Sequence, residues 1–234
     1  MCFSASASFT ASAFLVPTGI YCVREALNGD SLSSDWRKHE YLALACLPLF
    51  FGIQQGFEGI LWLGLDAPNS IEITVSALGF LFFSHFFWLT WIPFSAFALE
   101  HHPQKKNALL GLTAIGALYG VFLYLPLLFN PDWLNVSITH GSIDYQVRLI
   151  FENFLRGQQV VWIYVFFILC PLFLSSIREI NVLGSLIAIS AFLSSWFFSH
   201  AFISVWCFFA ALISAYVFYV LQKHNESISD EWMV

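Results

Sequence analysis

Phe50-Phe51-Gly52-Ile53-Gln54-Gln55-Gly56-Phe57-Glu58-Gly59-Ile60-Leu61-Trp62 sets one carboxylate and two amides inside a run that otherwise reads as a membrane-spanning helix. An ionised side chain at bilayer depth costs roughly 2.5 to 3.5 kcal/mol on insertion scales, so Glu58 needs a partner, a proton or a water-filled cavity. At about 100° per residue, Gln54, Glu58, Trp62 and Gln55 fall on one arc, continued by Gly59, Gly52 and Gly56. Ile60, Ile53, Phe57, Phe50 and Leu61 fill the opposite arc, which is expected to face lipid or apolar neighbours. Gly52 and Gly56 form a GxxxG pair, the spacing that lets a second helix approach closely.

The rest of the chain matches this reading. Hydrophobic residues make up 59% of its 234 positions and charged residues only 10%, a balance that excludes a soluble domain of this length. The net charge of −6 gives no basic surface for nucleic acid. Five cysteines show neither CxxC nor Cys/His zinc spacing, and Cys22, Cys46 and Cys170 lie in apolar runs as small buried hydrophobes. The start lacks a basic n-region, and its small residues Ser4 to Ser8 precede the apolar run, so it is expected to remain in the mature chain.

Apolar runs predict seven helices, at about 5–26, 41–65, 71–99, 107–129, 157–176, 181–198 and 202–222. The expected fold class is therefore all-α, an integral membrane bundle of seven transmembrane helices. It forms one domain, 1–224, followed by a short acidic cytoplasmic tail, 225–234. With the N-terminus outside, the inner segments hold Arg24, Arg37, Lys38, Lys105, Lys106, Arg178 and Lys223, while the outer ones hold only Arg148 and Arg156. That asymmetry predicts N-out, C-in. The polar excursion 130–156, with Asp132, His140, Asp144 and Glu152, is expected to cap the outer mouth. Small-residue pairs such as Gly116 and Gly120 suit helix contact.

A second polar face lies on the third predicted helix, where Ser84, Ser95, Trp88 and Leu81 share an arc with His85. A histidine at membrane depth is a ligand, a proton carrier or a hydrogen-bonded core residue. Glu58 is expected roughly 7 Å outward of the midplane at 1.5 Å per residue. His85 is expected near mid-helix, with His200, Cys207 and Cys2 also in the outer half or at its surface. A shared pocket follows, with Glu58 and His85 facing one another across the second and third helices. A retinal site is excluded because Lys38, Lys105, Lys106 and Lys223 all flank helices. A bis-histidine haem is disfavoured because His85 and His200 are offset in depth. A zinc site lacks HExxH or HxxxH spacing. His101-His102, beside Lys105 and Lys106, read as a solvated inner cap.

Four stretches together resemble an uncharacterised family of bacterial multi-pass membrane proteins that begin Met-Cys-Phe-Ser. They are Met1-Cys2-Phe3-Ser4-Ala5; Gln54-Gln55 with Glu58 and Trp62; Phe83-Ser84-His85 with Trp88; and Ile203-Ser204-Val205-Trp206-Cys207-Phe208-Phe209-Ala210-Ala211. The resemblance implies a bacterial cytoplasmic membrane location, assigns no activity, and adds Cys2, Trp206 and Cys207 to the residues of interest. The intramembrane histidine, serine and acid also resemble seven-helix zinc hydrolases of the alkaline ceramidase and adiponectin-receptor type, although their paired histidines on the last helix are missing here.

The residues expected to line a ligand site are Gln54, Gln55, Glu58, Trp62, Ser84, His85, Trp88, His200, Ser204, Trp206 and Cys207. Glu58, His85 and His200 are the candidate ligands for a divalent metal ion. The leading expectation is binding of a small polar ligand, metal ion or proton for sensing or transport. The alternatives are a metal-dependent intramembrane hydrolase and a structural subunit of a membrane complex. Expected partners are the lipid bilayer, a small polar ligand or ion, and a second copy of the chain; nucleic acid is not among them.

Overall fold

The computed structural model describes residues 4–27, 40–66, 70–150, 157–198 and 201–231. Cys2, Arg37, Lys38, Glu152, Arg156 and His200 lie outside these described residues. The chain is mostly helical, and among the described residues six helices are long and apolar enough to cross a membrane, which makes it a multi-pass membrane protein. These are α1 (Ala5–Leu27), α2 (Leu42–Asp66), α3 (Ile71–Leu99), α4 (Pro103–Phe129), α6 (Arg178–Phe197) and α7 (Phe202–Lys223). Between them α5 (Gly157–Leu174) is a shorter apolar helix. The last helical segment spans Tyr216–Glu231.

Helix α1 turns a stripe of mostly small side chains inward: Ser8, Ala11, Leu15, Gly19, Cys22 and Ala26 are buried at three- or four-residue spacing. Against it lies the glycine face of α2. A Cβ at Gly52 would come within 2.8 Å of Val16 Cγ2, and one at Gly59 within 2.8 Å of the Phe9 ring. Gly19 sits directly on the Leu49 backbone. The GxxxG face therefore makes the close helix contact its spacing predicts, and α1 is the helix it admits. On the far side of α2, Ile53, Ile60 and Leu63 are exposed, as side chains facing lipid are. Leu61, placed on the same arc by periodicity, is instead fully buried.

In the middle of α3, Phe82–Phe87 form a turn of π-helix. Its i→i+5 hydrogen bonding inserts an extra residue and locally widens the helix. Beside it α4 packs through Gly116, which sits on the Leu89 carbonyl, and Gly120, where a Cβ would lie 2.9 Å from Phe86 Cα and 3.1 Å from the His85 carbonyl oxygen. The stripe on α4 thus lets a neighbouring backbone touch the π-turn that carries His85.

The all-α expectation needs one correction. Leu134–Thr139 and Ser142–Val147 form an antiparallel hairpin, β1 and β2, closed by the two-residue turn His140-Gly141 with φ of 51° and 76°. Both positive φ values define a type I′ turn, whose twist matches that of the strands it joins. Leu-Asn-Val-Ser-Ile-Thr and Ser-Ile-Asp-Tyr-Gln-Val alternate apolar and polar around that turn, the pattern of a half-buried strand. Helix-length runs dominate a membrane sequence and mask so short a signal. The hairpin covers one end of the bundle: Ile143 is fully buried, Tyr145 stacks on Phe80 at 4.9 Å, and the pair joins Leu61, Trp62 and Cys207 in one apolar cluster. His140, a weak candidate from sequence, sits at the exposed tip.

At the opposite end, His101 and His102 are exposed while Glu100 beside them is buried. Glu100 is 1% exposed. Its Oε1 accepts the backbone N–H groups of His101 and His102 at 3.1 and 2.9 Å, and its Oε2 accepts that of Ser176 at 2.7 Å. One side chain thereby ties the α3–α4 connection to the α5–α6 connection. Burial pushes the Glu100 carboxyl up, but the backbone donors from His102 and Ser176 and the nearby Lys105 outweigh it, so the group is held below the ordinary carboxylate value. A carboxyl lowered on folding contributes stability above its unfolded pKa and loses it as pH falls through the folded one. Glu100→Gln is expected to cost about 2 kcal/mol, the scale of hydrogen bonds to a charged group. It should also flatten the acid side of the melting-temperature profile, measured by fluorescence in detergent across acidic pH; an unchanged profile would show that the clamp contributes nothing.

Candidate functional site

Glu58 lies on the buried arc of α2, and all of its polar companions on that arc are inside the molecule. Gln54, Gln55 and Glu58 are fully buried and Trp62 is 5% exposed. Glu58 Oε1 accepts a hydrogen bond from Ser204 Oγ of α7 at 2.5 Å, a distance typical of a charge-assisted O–H···O bond. Its other polar neighbours are Gln55 and Ser8, and Cys207 lies beside both Glu58 and Gln54. Among the described residues, Glu58 Oε2, both amide ends of Gln55, Gln54 Nε2, Ser8 Oγ and Trp62 Nε1 have no hydrogen-bond partner. Buried polar atoms are nearly always satisfied, since each one left unpaired costs about 1–3 kcal/mol. Six such atoms gather on two adjoining helices, with Gln55 and Ser8 turned toward the Glu58 carboxyl.

The fourth polar residue of α2 is partly accounted for. Gln54 Oε1 accepts the indole N–H of Trp88 from α3 at 2.8 Å, and Trp88 stacks on Phe51 with centroids 3.8 Å apart. Gln54 is thereby fixed while its amide nitrogen remains open. Trp206 reaches the other way, donating from Nε1 to the Ile187 carbonyl of α6 at 3.4 Å.

Among the described residues no hydrogen bond joins Glu58 to His85. His85 Nδ1 pairs with Ser84 Oγ at 3.0 Å, and Glu58 Oε1 accepts from Ser204 of α7. Both Ser84 and His85 are buried, at 2% and 8% exposed, but they look into a separate cavity of about 60 Å³ between α3, α4, α5 and α7. Cys207 borders that cavity and also neighbours Glu58, so the residues expected to share one pocket divide into two compartments with Cys207 between them. Ser84 and His85 both lie within the π-turn of α3.

Two residues of these compartments were not singled out by sequence. Ser8 brings a hydroxyl to Glu58 from α1, and Tyr164 of α5 lines the His85 cavity. The spacing of small residues from Ser8 to Ala26 is the signal that would have found the first. Nothing in the local sequence marks Tyr164 apart from other aromatic residues of α5. Among the described residues no group of three or more His, Cys, Asp or Glu side chains is gathered as a metal site, and His200 lies outside them.

Comparison with known proteins adds a family and no function. A family model described as a family of unknown function, DUF6629, matches residues 1–231. No curated protein and no solved structure matches the chain.

Proposed function

The chain belongs to this family of unknown function, and from its buried acid we propose a membrane protein that binds a small hard cation in exchange for a proton at Glu58, for sensing or transport. The observation that carries this reading is the Glu58 carboxylate itself: fully buried, with Ser204 on one oxygen and no partner on the other. The atoms left open around it include the Gln55 amide oxygen and the Ser8 hydroxyl oxygen. An all-oxygen set of this kind suits hard cations and protons, whereas softer metals prefer nitrogen and sulfur donors. A buried carboxylate is sustained by a cation or becomes neutral by taking a proton, and these two occupants compete for one oxygen. The divalent ion first expected on Glu58, His85 and His200, and the hydrolase it would serve, have no comparable support. The same holds for the structural-subunit reading.

In this proposal the domain comprises seven spans over residues 1–224, with α5 as the shortest, in a bacterial cytoplasmic membrane. The N-terminus is outside, the C-terminus inside, and the hairpin covers the outer mouth above the Glu58 centre. The charge asymmetry of the loops supports that orientation. A cysteine placed at Asn135 should react with an impermeant maleimide from outside, and a reporter after Val234 should be cytoplasmic. Labelling of Asn135 only from inside would reverse the orientation. The cation reading is tested by adding sodium or lithium to purified protein in weakly buffered detergent with a pH indicator. About one proton per chain should be released by wild type; no release with either ion, with no change in proton uptake, would remove the reading.

A further inference from the structure

The cavity beside the π-turn has no role in cation exchange at Glu58. Its walls are apolar and aromatic: Leu123 of α4, Val160 and Val161 at the start of α5, and Phe202, Ile203 and Trp206 at the start of α7. Its polar groups are few and enter from three helices, His85 with Ser84 from α3, Tyr164 from α5 and Cys207 from α7. This is the composition of a site for a mostly apolar molecule oriented by a small number of hydrogen bonds. Its volume of about 60 Å³ holds several waters' worth of space, well beyond a packing fault.

Three features point to the kind of occupant. Phe202, Trp206 and Tyr164 form an aromatic shelf, with centroids 5.1 Å apart for Phe202 and Trp206 and a T-shaped contact at 5.6 Å for Tyr164 and Trp206. Rings offset or edge-on at such distances accept a further ring in the same manner. The His85 ring uses Nδ1 on Ser84, which leaves Nε2 as its free hydrogen-bonding position. Val161 is 37% exposed and Trp162 beside it 68%, so the α5 wall of the cavity stands against lipid in a bilayer. A molecule dissolved in the membrane reaches this site sideways, between α5 and α7, without crossing water.

We propose that this cavity binds a small aromatic molecule from the bilayer carrying one hydroxyl, a phenol in chemical class, with its ring on the Phe202–Trp206–Tyr164 shelf and its oxygen at His85 Nε2. The site is distinct from the Glu58 centre and does not depend on what that centre binds. Among the described residues, Cys207 borders both compartments.

The test uses the full chain in lipid nanodiscs and two fluorine NMR probes, 4-fluorophenol and fluorobenzene, with empty nanodiscs as the blank. Wild type should bind 4-fluorophenol saturably above the blank. Val161→Trp, a change at the lipid-facing wall that the core does not feel, should abolish that binding. His85→Leu should weaken 4-fluorophenol about tenfold, the scale of one lost hydrogen bond, and leave fluorobenzene unaffected. Glu58→Gln should bind 4-fluorophenol as wild type does, which separates failure here from failure of the cation reading. Absence of saturable binding in wild type, or Val161→Trp binding as wild type, overturns the proposal. Should His85→Leu fail to fold, Val161→Trp decides alone.

Discussion

Glu58→Gln is expected to abolish cation-linked proton release while leaving thermal stability nearly unchanged. The substitution keeps the shape of the side chain and an acceptor for Ser204 Oγ, which now lies 2.5 Å from Oε1. What it removes is the charge. A neutral amide in a fully buried position carries no ionic desolvation cost, so the fold has no reason to suffer. A cation does, because the only formal negative charge among the oxygens at this centre is gone; its affinity should fall at least about a hundredfold, roughly 3 kcal/mol. Ser204→Ala supplies the graded comparison. It retains the carboxylate and deletes one donor, and a weakening of about tenfold is the scale of one hydrogen bond to a charged group. Proton release and thermal melting measured on the same samples check both. If Glu58→Gln releases protons on sodium addition as wild type does, the exchanging group lies elsewhere and Glu58 is a buried structural acid.

How far these features could be read from sequence depends on how local their causes are. The burial of Gln54, Gln55 and Glu58 follows from placing three polar residues on one helical arc, because at bilayer depth the polar side of a helix has nowhere to face but inward. The close contact through Gly52 was equally legible, since missing side chains at four-residue spacing have a direct steric meaning. The partner helix was not legible: that α1 fills the groove is a tertiary fact. The same limit explains His85. Position along the helices set it opposite Glu58, whereas its hydrogen bond goes to the neighbouring Ser84, and no residue in Phe-Phe-Ser-His-Phe-Phe announces the π-turn that carries it. Depth was read from position along each helix and carried no information about rotation. Glu100 was not singled out, for a different reason. Beside two histidines and two lysines it reads as interfacial, while its three backbone partners include Ser176, which only the assembled loops bring within 2.7 Å.

Gly52→Leu is expected to be the most destabilising single substitution in the α1–α2 seam, costing about 3 kcal/mol or more, the upper range for overpacking a core. A Cβ at this position meets Val16 Cγ2 at 2.8 Å, but also the Val16 backbone nitrogen at 2.9 Å, and a backbone inside a helix cannot turn aside as a side chain does. The rest of the leucine then has to displace α1 as a whole. That displacement carries Ser8 away from Glu58, because Ser8 and the residues facing Gly52 ride on the same rigid helix. Cation affinity should therefore fall together with stability, which distinguishes this variant from Glu58→Gln, where only affinity falls. Two other glycines act as internal standards. Gly56→Ala brings a Cβ to 3.4 Å from Ser12 Oγ, near ordinary contact, and should be close to neutral. Gly111→Ala meets nothing within 4 Å and should gain about 0.5–1 kcal/mol from helix propensity alone. Melting temperatures of the three variants in one detergent give the order directly. If Gly52→Leu melts with Gly56→Ala, the seam tolerates a side chain, and the close approach of α1 to the Glu58 face is not what holds the site together.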